Sequence, residues 1–184
     1  VEVLLILNAN PLYHAPADLN FGDALAKVPF SAHLGLYVDE TAAATTWHVP
    51  GVHYLEEWSD ARAYDGTIAM QQPLIEPLYG GHSPHELLDS LVNEEVRSNH
   101  DIVRAYWSAQ QGDSGFDTFW RRALHDGVVA ETAAAATEVT LVADLGSQLS
   151  SATAGSGLTL LLRPDPSIGD GRYANNGWLQ ELPK

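Results

Sequence analysis

Residues 1–11, VEVLLILNANP, constrain this chain more than any other stretch. Every side chain from Val3 to Leu7 is apolar and branched. So short a run without polar alternation suits a strand buried on both faces, in the middle of a parallel sheet. It ends at Asn8-Ala9-Asn10-Pro11. Asn tolerates left-handed backbone angles, and Pro cannot continue a ladder. Ligands of α/β sheets sit at the carboxyl ends of the strands. Asn8 and Asn10 are therefore either the start of a ligand site or a turn, and spacing alone leaves both open.

The 184 residues suit one domain with a small appendage. Twenty-four acids against 9 bases give a net charge of −15. That balance argues against sequence-independent nucleic-acid binding and against docking on anionic lipid, both of which use Lys and Arg. It favours solubility, or a basic partner. The chain has no Cys, which excludes disulfides, thiolate zinc sites and cysteine-ligated iron–sulfur clusters built from its own residues. No apolar run is long enough to span a membrane. Because the chain starts at Val and inside a strand, it reads as a segment of a longer polypeptide.

Phe21, Ala24, Leu25 and Val28 share one helical face, with Asn20 as N-cap and Pro29 as stop. AHLGLYV (32–38) reads as a second strand, in which Gly35 allows a close approach. Strand, helix and strand make a βαβ unit. Asp39-Glu40-Thr41 follows, where an acid either meets a ribose or caps the short Ala-rich helix after it. WHVP (47–50) is a third strand, 51–66 an aromatic and charged loop, and TIAMQQ (67–72) a fourth strand of the same sheet. Ser83-Pro84-His85-Glu86 is a capping box opening a helix that points Leu87, Leu88, Leu91 and Val92 inward. Helices over 99–111 and 116–125 follow, with Trp107, Phe116, Phe119 and Trp120 as core. EVTLVA (138–143) and LTLLLR (158–163) are β-type, joined by a Ser/Gly/Ala-rich connector, and Trp178 anchors the tail.

The expected fold class is α/β: a Rossmann-like parallel sheet of about four strands with flanking helices, a helical insertion and a small β-type C-terminal extension. The division is 1–132 for the α/β domain and 133–184 for an extension that starts a neighbouring domain. Its apolar strands would pair with whatever is available, including a second copy of the chain.

Chemical motifs are sparse. His48/His53 and His82/His85 lack a third ligand in a recognised spacing. Glu56/Glu57 and Glu94/Glu95 are adjacent, so each pair diverges rather than forming a dyad. There is no Gly-x-Ser-x-Gly elbow, phosphate loop or Gly-x-Gly-x-x-Gly fingerprint.

LLILNANP (4–11) and YVDETAAATTWHVP (37–50), followed by the Glu56/Glu57 region, resemble the third, Rossmann-like domain of the molybdopterin oxidoreductase (dimethyl sulfoxide reductase) superfamily. A second set of segments is longer and more specific. WHVPGVHYLEEWSDARAYDGTIAMQQPLIEPLYGG (47–81), the Ser-Pro-His-Glu helix, the aromatic helices around Trp107 and Trp120, and DGRYANNGWLQELPK (170–184) resemble one branch. That branch is the Tat-translocated, molybdopterin-oxidoreductase-like iron–sulfur subunit of alternative complex III.

The resemblance implies a fragment of an electron-transfer subunit in a membrane-bound, quinol-oxidising respiratory complex, on the periplasmic face of the bacterial inner membrane. Its partners would be the other subunits, with no nucleic acid and no direct membrane insertion. In the wider superfamily this domain helps hold a molybdopterin guanine dinucleotide. The matching positions here are Asn8, Asn10 and Pro11, then Asp39, Glu40 and Thr41. The enzymes' usual Ala-Asp-Val-Val-Leu-Pro is replaced by Thr-Trp-His-Val-Pro (46–50), which puts Trp47 and His48 near the tip. The alternative complex III branch implies a scaffold with no cofactor or catalytic residue in this segment, and iron–sulfur clusters elsewhere in the parent. The alternative is the cofactor-holding domain of an active molybdenum enzyme. If the tip is a relic, Trp47 or His48 should fill the space a nucleotide needs.

Overall fold

The computed structural model describes residues 1–93, 96–112, 114–143, 157–158 and 160–181. The acidic pair at 94/95 and most of the 146–157 connector lie outside the described residues. The chain divides into two compact units, Val1–Ala136 and Thr137–Lys184.

The first unit opens with strand β1 (Val3–Leu7), helix α1 (Pro11–His14), a 3₁₀ turn (Ala17–Leu19) and helix α2 (Phe21–Leu25). Strand β2 (Phe30–Gly35), helix α3 (Glu40–Ala44) and strand β3 (Trp47–Pro50) follow. The three strands form a parallel sheet in the order β1-β2-β3, with Leu5 beside Ala32 and Leu34 beside Val49. The α/β expectation is met. The position of the opening strand is not: β2 is central, and β1 lies at the edge. The two crossovers place β1 and β3 on opposite sides of β2, so residues 31–35 are all buried while Val3 is exposed. Apolarity reported burial against helices but not the number of ladder neighbours.

Two further details differ from expectation. Asn20 precedes α2 with φ 45° and no side-chain cap bond, because it also ends the 3₁₀ turn in the left-handed region. The second strand stops at Gly35, and Leu36, Tyr37 and Val38 are exposed. Beyond β3, His82 bridges to Gly51, and its N–H donates to the Pro50 carbonyl at 2.8 Å.

The expected fourth strand belongs to a different sheet. Strands β4 (Ser59–Arg62), β5 (Ile68–Gln71) and β6 (Val128–Val129) form an antiparallel sheet in the order β4-β5-β6. Ile68 and Met70 are buried while Ala69 is exposed, the period-two pattern of a sheet covered on one face. Asp65-Gly66 makes the hairpin. Gly66 sits at φ +90°, and the Asp65 carboxylate accepts from the Thr67 N–H and hydroxyl at 2.9 and 3.0 Å.

Helices α4 (Pro84–Val92), α5 (Asn99–Gln111) and α6 (Phe116–Asp126) complete the unit. The capping box on α4 is formed as expected: the Ser83 hydroxyl accepts from the Glu86 N–H, and the Glu86 carboxylate accepts from the Ser83 N–H. Its face is not the expected one. Leu88, Leu91 and Val92 are exposed, and Asp89 is buried where Arg97 and Asn93 donate to it. Arg97 holds the Asp89 carboxyl below the usual range. The main core lies between β5, β6, α5 and α6, where Ile68, Met70, Val103, Trp107, Trp120 and Val129 pack together. The indole N–H of Trp107 donates to Asp60 at 2.7 Å.

In the second unit the described residues of 138–143 and 158–163 carry no ladder, contrary to their β-type reading. A strand needs a partner for its backbone groups, and β propensity alone supplies none. Regular features among its described residues are an Asp165–Gly169 bridge, where Asp165 accepts from the Ser167 N–H at 2.7 Å, and helix α7 (Gly177–Glu181). Trp178 is exposed rather than an anchor.

Candidate functional site

The carboxyl ends of β1, β2 and β3 bring the expected site residues together. Asn8 takes φ 51°, and its N–H continues the ladder onto the Leu34 carbonyl at 2.8 Å. Asn10 precedes α1, with Pro11 as that helix's first residue, and its side chain reaches across to α3. The Asn10 amide donates to Glu40 Oε2 at 2.7 Å, and the Thr41 hydroxyl donates to Asn10 Oδ1 at 2.7 Å. The same hydroxyl accepts from the Leu12 N–H at 3.1 Å. Asp39 caps α3 by accepting from the Ala42 N–H at 2.9 Å, in line with its capping reading. The Asn10 hydrogen bond, with a backbone N–H, keeps the Glu40 carboxyl below its usual range.

His33 also belongs to this cluster, and the sequence reading missed it. Its side chain is 1% exposed. One ring nitrogen, Nε2, lies 3.1 Å from the Ala9 carbonyl, and the other, Nδ1, lies 3.1 Å from Nδ1 of His48. The rings stack with centroids 5.3 Å apart. Asp39 Oδ2 is 3.9 Å from His33 Nε2. Two signals pointed here: an imidazole inside the apolar run AHLGL, and a glycine two residues on, facing the same side. A Cβ on Gly35 would sit 2.6 Å from Cε1 of His33, so this glycine's close approach is to the imidazole. His48 is at the tip as expected. Trp47 is not: it pairs with Ala32, packs on Phe30 with centroids 6.3 Å apart, and is 64% exposed.

The paired histidines of the sequence reading separate. His53 accepts from the Leu55 N–H, His82 lies 3.6 Å from Glu86, and His85 meets the Ser59 hydroxyl at 2.9 Å. Among the described residues no group of three or more His, Asp or Glu is arranged to hold a metal ion.

A concavity of about 240 Å³ elsewhere in the first unit is lined by Val52, Trp58, Ile75 and His100 with Glu56, Glu76 and Glu86. Two of its three acids are already engaged: Glu56 accepts from the His53 and Leu78 N–H groups, Glu86 from those of Ser83 and Asn99. Nearby Glu57 differs, since its Oε2 is buried with no hydrogen-bond partner. Burial, with a smaller contribution from the Glu86 charge, pushes its carboxyl above the usual range. A raised carboxyl contributes stability that is complete below its unfolded value and is lost as pH rises through its folded value. Glu57→Gln is therefore expected to match the native chain near about pH 4 and to exceed its stability by about 0.5–1 kcal/mol near about pH 8, a figure reduced for partial exposure. Urea unfolding at both pH values measures this, and an equal difference at both would contradict it.

No protein-family model matches the chain. Among curated proteins it is similar to the menaquinone reductase, molybdopterin-binding-like subunit of Nitratidesulfovibrio vulgaris, with 28% identity over 121 residues. The aligned stretch covers 61% of this chain and 18% of that relative, so the chain spans about a fifth of the relative's length. The match supports a molybdopterin-oxidoreductase-like relationship. No helix among the described residues is long and apolar enough to cross a membrane.

Proposed function

We propose that this chain is an α/β scaffold domain of a molybdopterin-oxidoreductase-like, iron–sulfur electron-transfer subunit, with no redox centre of its own. The parent is a quinol-oxidising respiratory complex of the alternative complex III type, at the periplasmic face of a bacterial inner membrane. The observation that carries this reading is how the strand-tip polar groups are used. Asn10, Glu40 and Thr41 bind one another, Asp39 caps a helix, and the His33 ring lies beneath the tip. The donor set therefore fits a guanine dinucleotide poorly. Each of those side chains would have to exchange an internal hydrogen bond before holding a phosphate, ribose or guanine edge. The relative's name combines quinone chemistry with a subunit called molybdopterin-binding-like. With no Cys in the sequence, any cysteine-ligated cluster would come from other residues of the parent. The charge of −15 suits basic surfaces on the neighbouring subunits.

The parent complex, purified without denaturation, tests this. Metal analysis and mass spectrometry of released small molecules are expected to find iron, and neither molybdenum nor a pterin guanine dinucleotide. Molybdenum with one dinucleotide per subunit would overturn the scaffold reading and make this the cofactor-holding domain of an active molybdenum enzyme.

A further inference from the structure

We propose that His33 and His48 form a proton-binding site under the strand tip, which takes up one proton, refuses a second, and uses Asp39 as its counter-charge. The reasoning starts from the Ala9 carbonyl, which can only accept, so Nε2 of His33 carries a hydrogen. In the neutral ring Nδ1 of His33 is then a bare acceptor, and Nδ1 of His48, 3.1 Å away, must be the donor. That leaves the lone pair of His48 on Nε2. A proton arriving there makes His48 an imidazolium that still donates from Nδ1 to His33. Transfer of the Nδ1 proton across the contact makes His33 the imidazolium and leaves His48 neutral with its hydrogen on Nε2. Both forms keep every hydrogen bond. A second proton would place hydrogens on both Nδ1 atoms, turning the contact into a repulsion between two cations.

The surroundings favour one charge. From the α3 side comes Asp39, 3.9 Å from His33 Nε2, and from β3 only His48. From the β1 side the partner is the Ala9 carbonyl. Farther out, Glu40 is tied to Asn10 and feels His14 at the end of α1. Burial and the charge of His33 push His48 below its ordinary value, and Asp39 opposes them. Protonation thus adds an ion pair between β2 and the start of α3.

Ring ¹H–¹⁵N correlation spectra of the 184-residue chain, followed from about pH 8 to about pH 4.5, test the proposal. At the upper end His33 is expected as the Nε2–H tautomer and His48 as Nδ1–H. On acidification the two rings should share one midpoint and take up one proton between them. Asp39→Asn keeps a good helix cap but removes the charge, and is expected to lower that midpoint by about one pH unit. In the unfolded chain both imidazoles charge. Below the free-imidazole range, then, each pH unit should favour unfolding about tenfold more in the native chain than in His48→Gln. Two independent, complete titrations, or a midpoint indifferent to Asp39→Asn, would overturn the proposal.

Discussion

Replacing Trp120 with alanine is expected to lower the free energy of unfolding by about 3–5 kcal/mol. Trp120 is buried, four residues from Phe116 on the inward face of α6. Its ring stacks on Phe116 and Trp58 with centroids 5.9 and 6.3 Å apart, and meets the edge of His100. Truncation removes the buried surface and leaves a cavity that α5, α6 and β5 can close only by abandoning one another. A domain of this size is held by about 5–15 kcal/mol, so the loss is a large share of the total. Urea unfolding should show a lower midpoint with an unchanged slope. Hydrogen exchange should accelerate first in β5, which shares this core, and later in β2, which does not. An unchanged midpoint would mean that α6 does not bury this face.

How far the fold could be read depended on whether its signal was local. The capping box at Ser83 and the aromatic spacing of α5 and α6 are local, and both are realised. The apolar run of β1 identified a strand but not its neighbours, since the order β1-β2-β3 follows from where two crossovers land. The β4–β5 hairpin was legible and passed over. Asp65-Gly66 between two short runs is a strong hairpin signal, and the buried–exposed alternation of IAMQ marks a sheet covered on one face. Ser59–Arg62 hid it, because SDAR has little strand character away from its partner. On α4 the leucines misled. An exposed leucine is unremarkable, whereas the buried Asp89 takes its place from Arg97, a residue beyond the helix.

The tip was half legible for the same reason. Strand ends and chain reversals are written locally, so Asn8, Asn10, Asp39, Glu40 and Thr41 could be assigned to one place. Which of them bond to which is set by the crossover that lays α3 beside α1. No spacing rule links Asn10 to Glu40 and Thr41, about thirty positions away. His33 escaped because a strand histidine is ordinarily a satisfied core residue, and here its partners come from two other strands' ends.

Thr41→Val tests whether that internal network is what holds the tip. Thr41 is 0% exposed, and its hydroxyl donates to Asn10 while accepting from the Leu12 N–H. Valine keeps the shape and the β-branching but leaves both partners unpaired. The expected loss is about 2–3 kcal/mol, since an unmade buried hydrogen bond costs more than a made one contributes. Thr41→Ser keeps the hydroxyl and removes a methyl, and should lose only about 1 kcal/mol. The two variants also separate packing from orientation. With its Oδ1 released, Asn10 no longer holds its amide against Glu40, so in the valine variant the Glu40 carboxyl should rise toward its ordinary value. In the serine variant it should stay low. Carboxyl carbon shifts followed through the acid range read this directly. Equal losses in the two variants, with Glu40 unmoved in both, would mean that packing rather than the Asn10–Thr41–Glu40 network fixes the strand tip, and that its polar groups are freer to meet a ligand than their distances suggest.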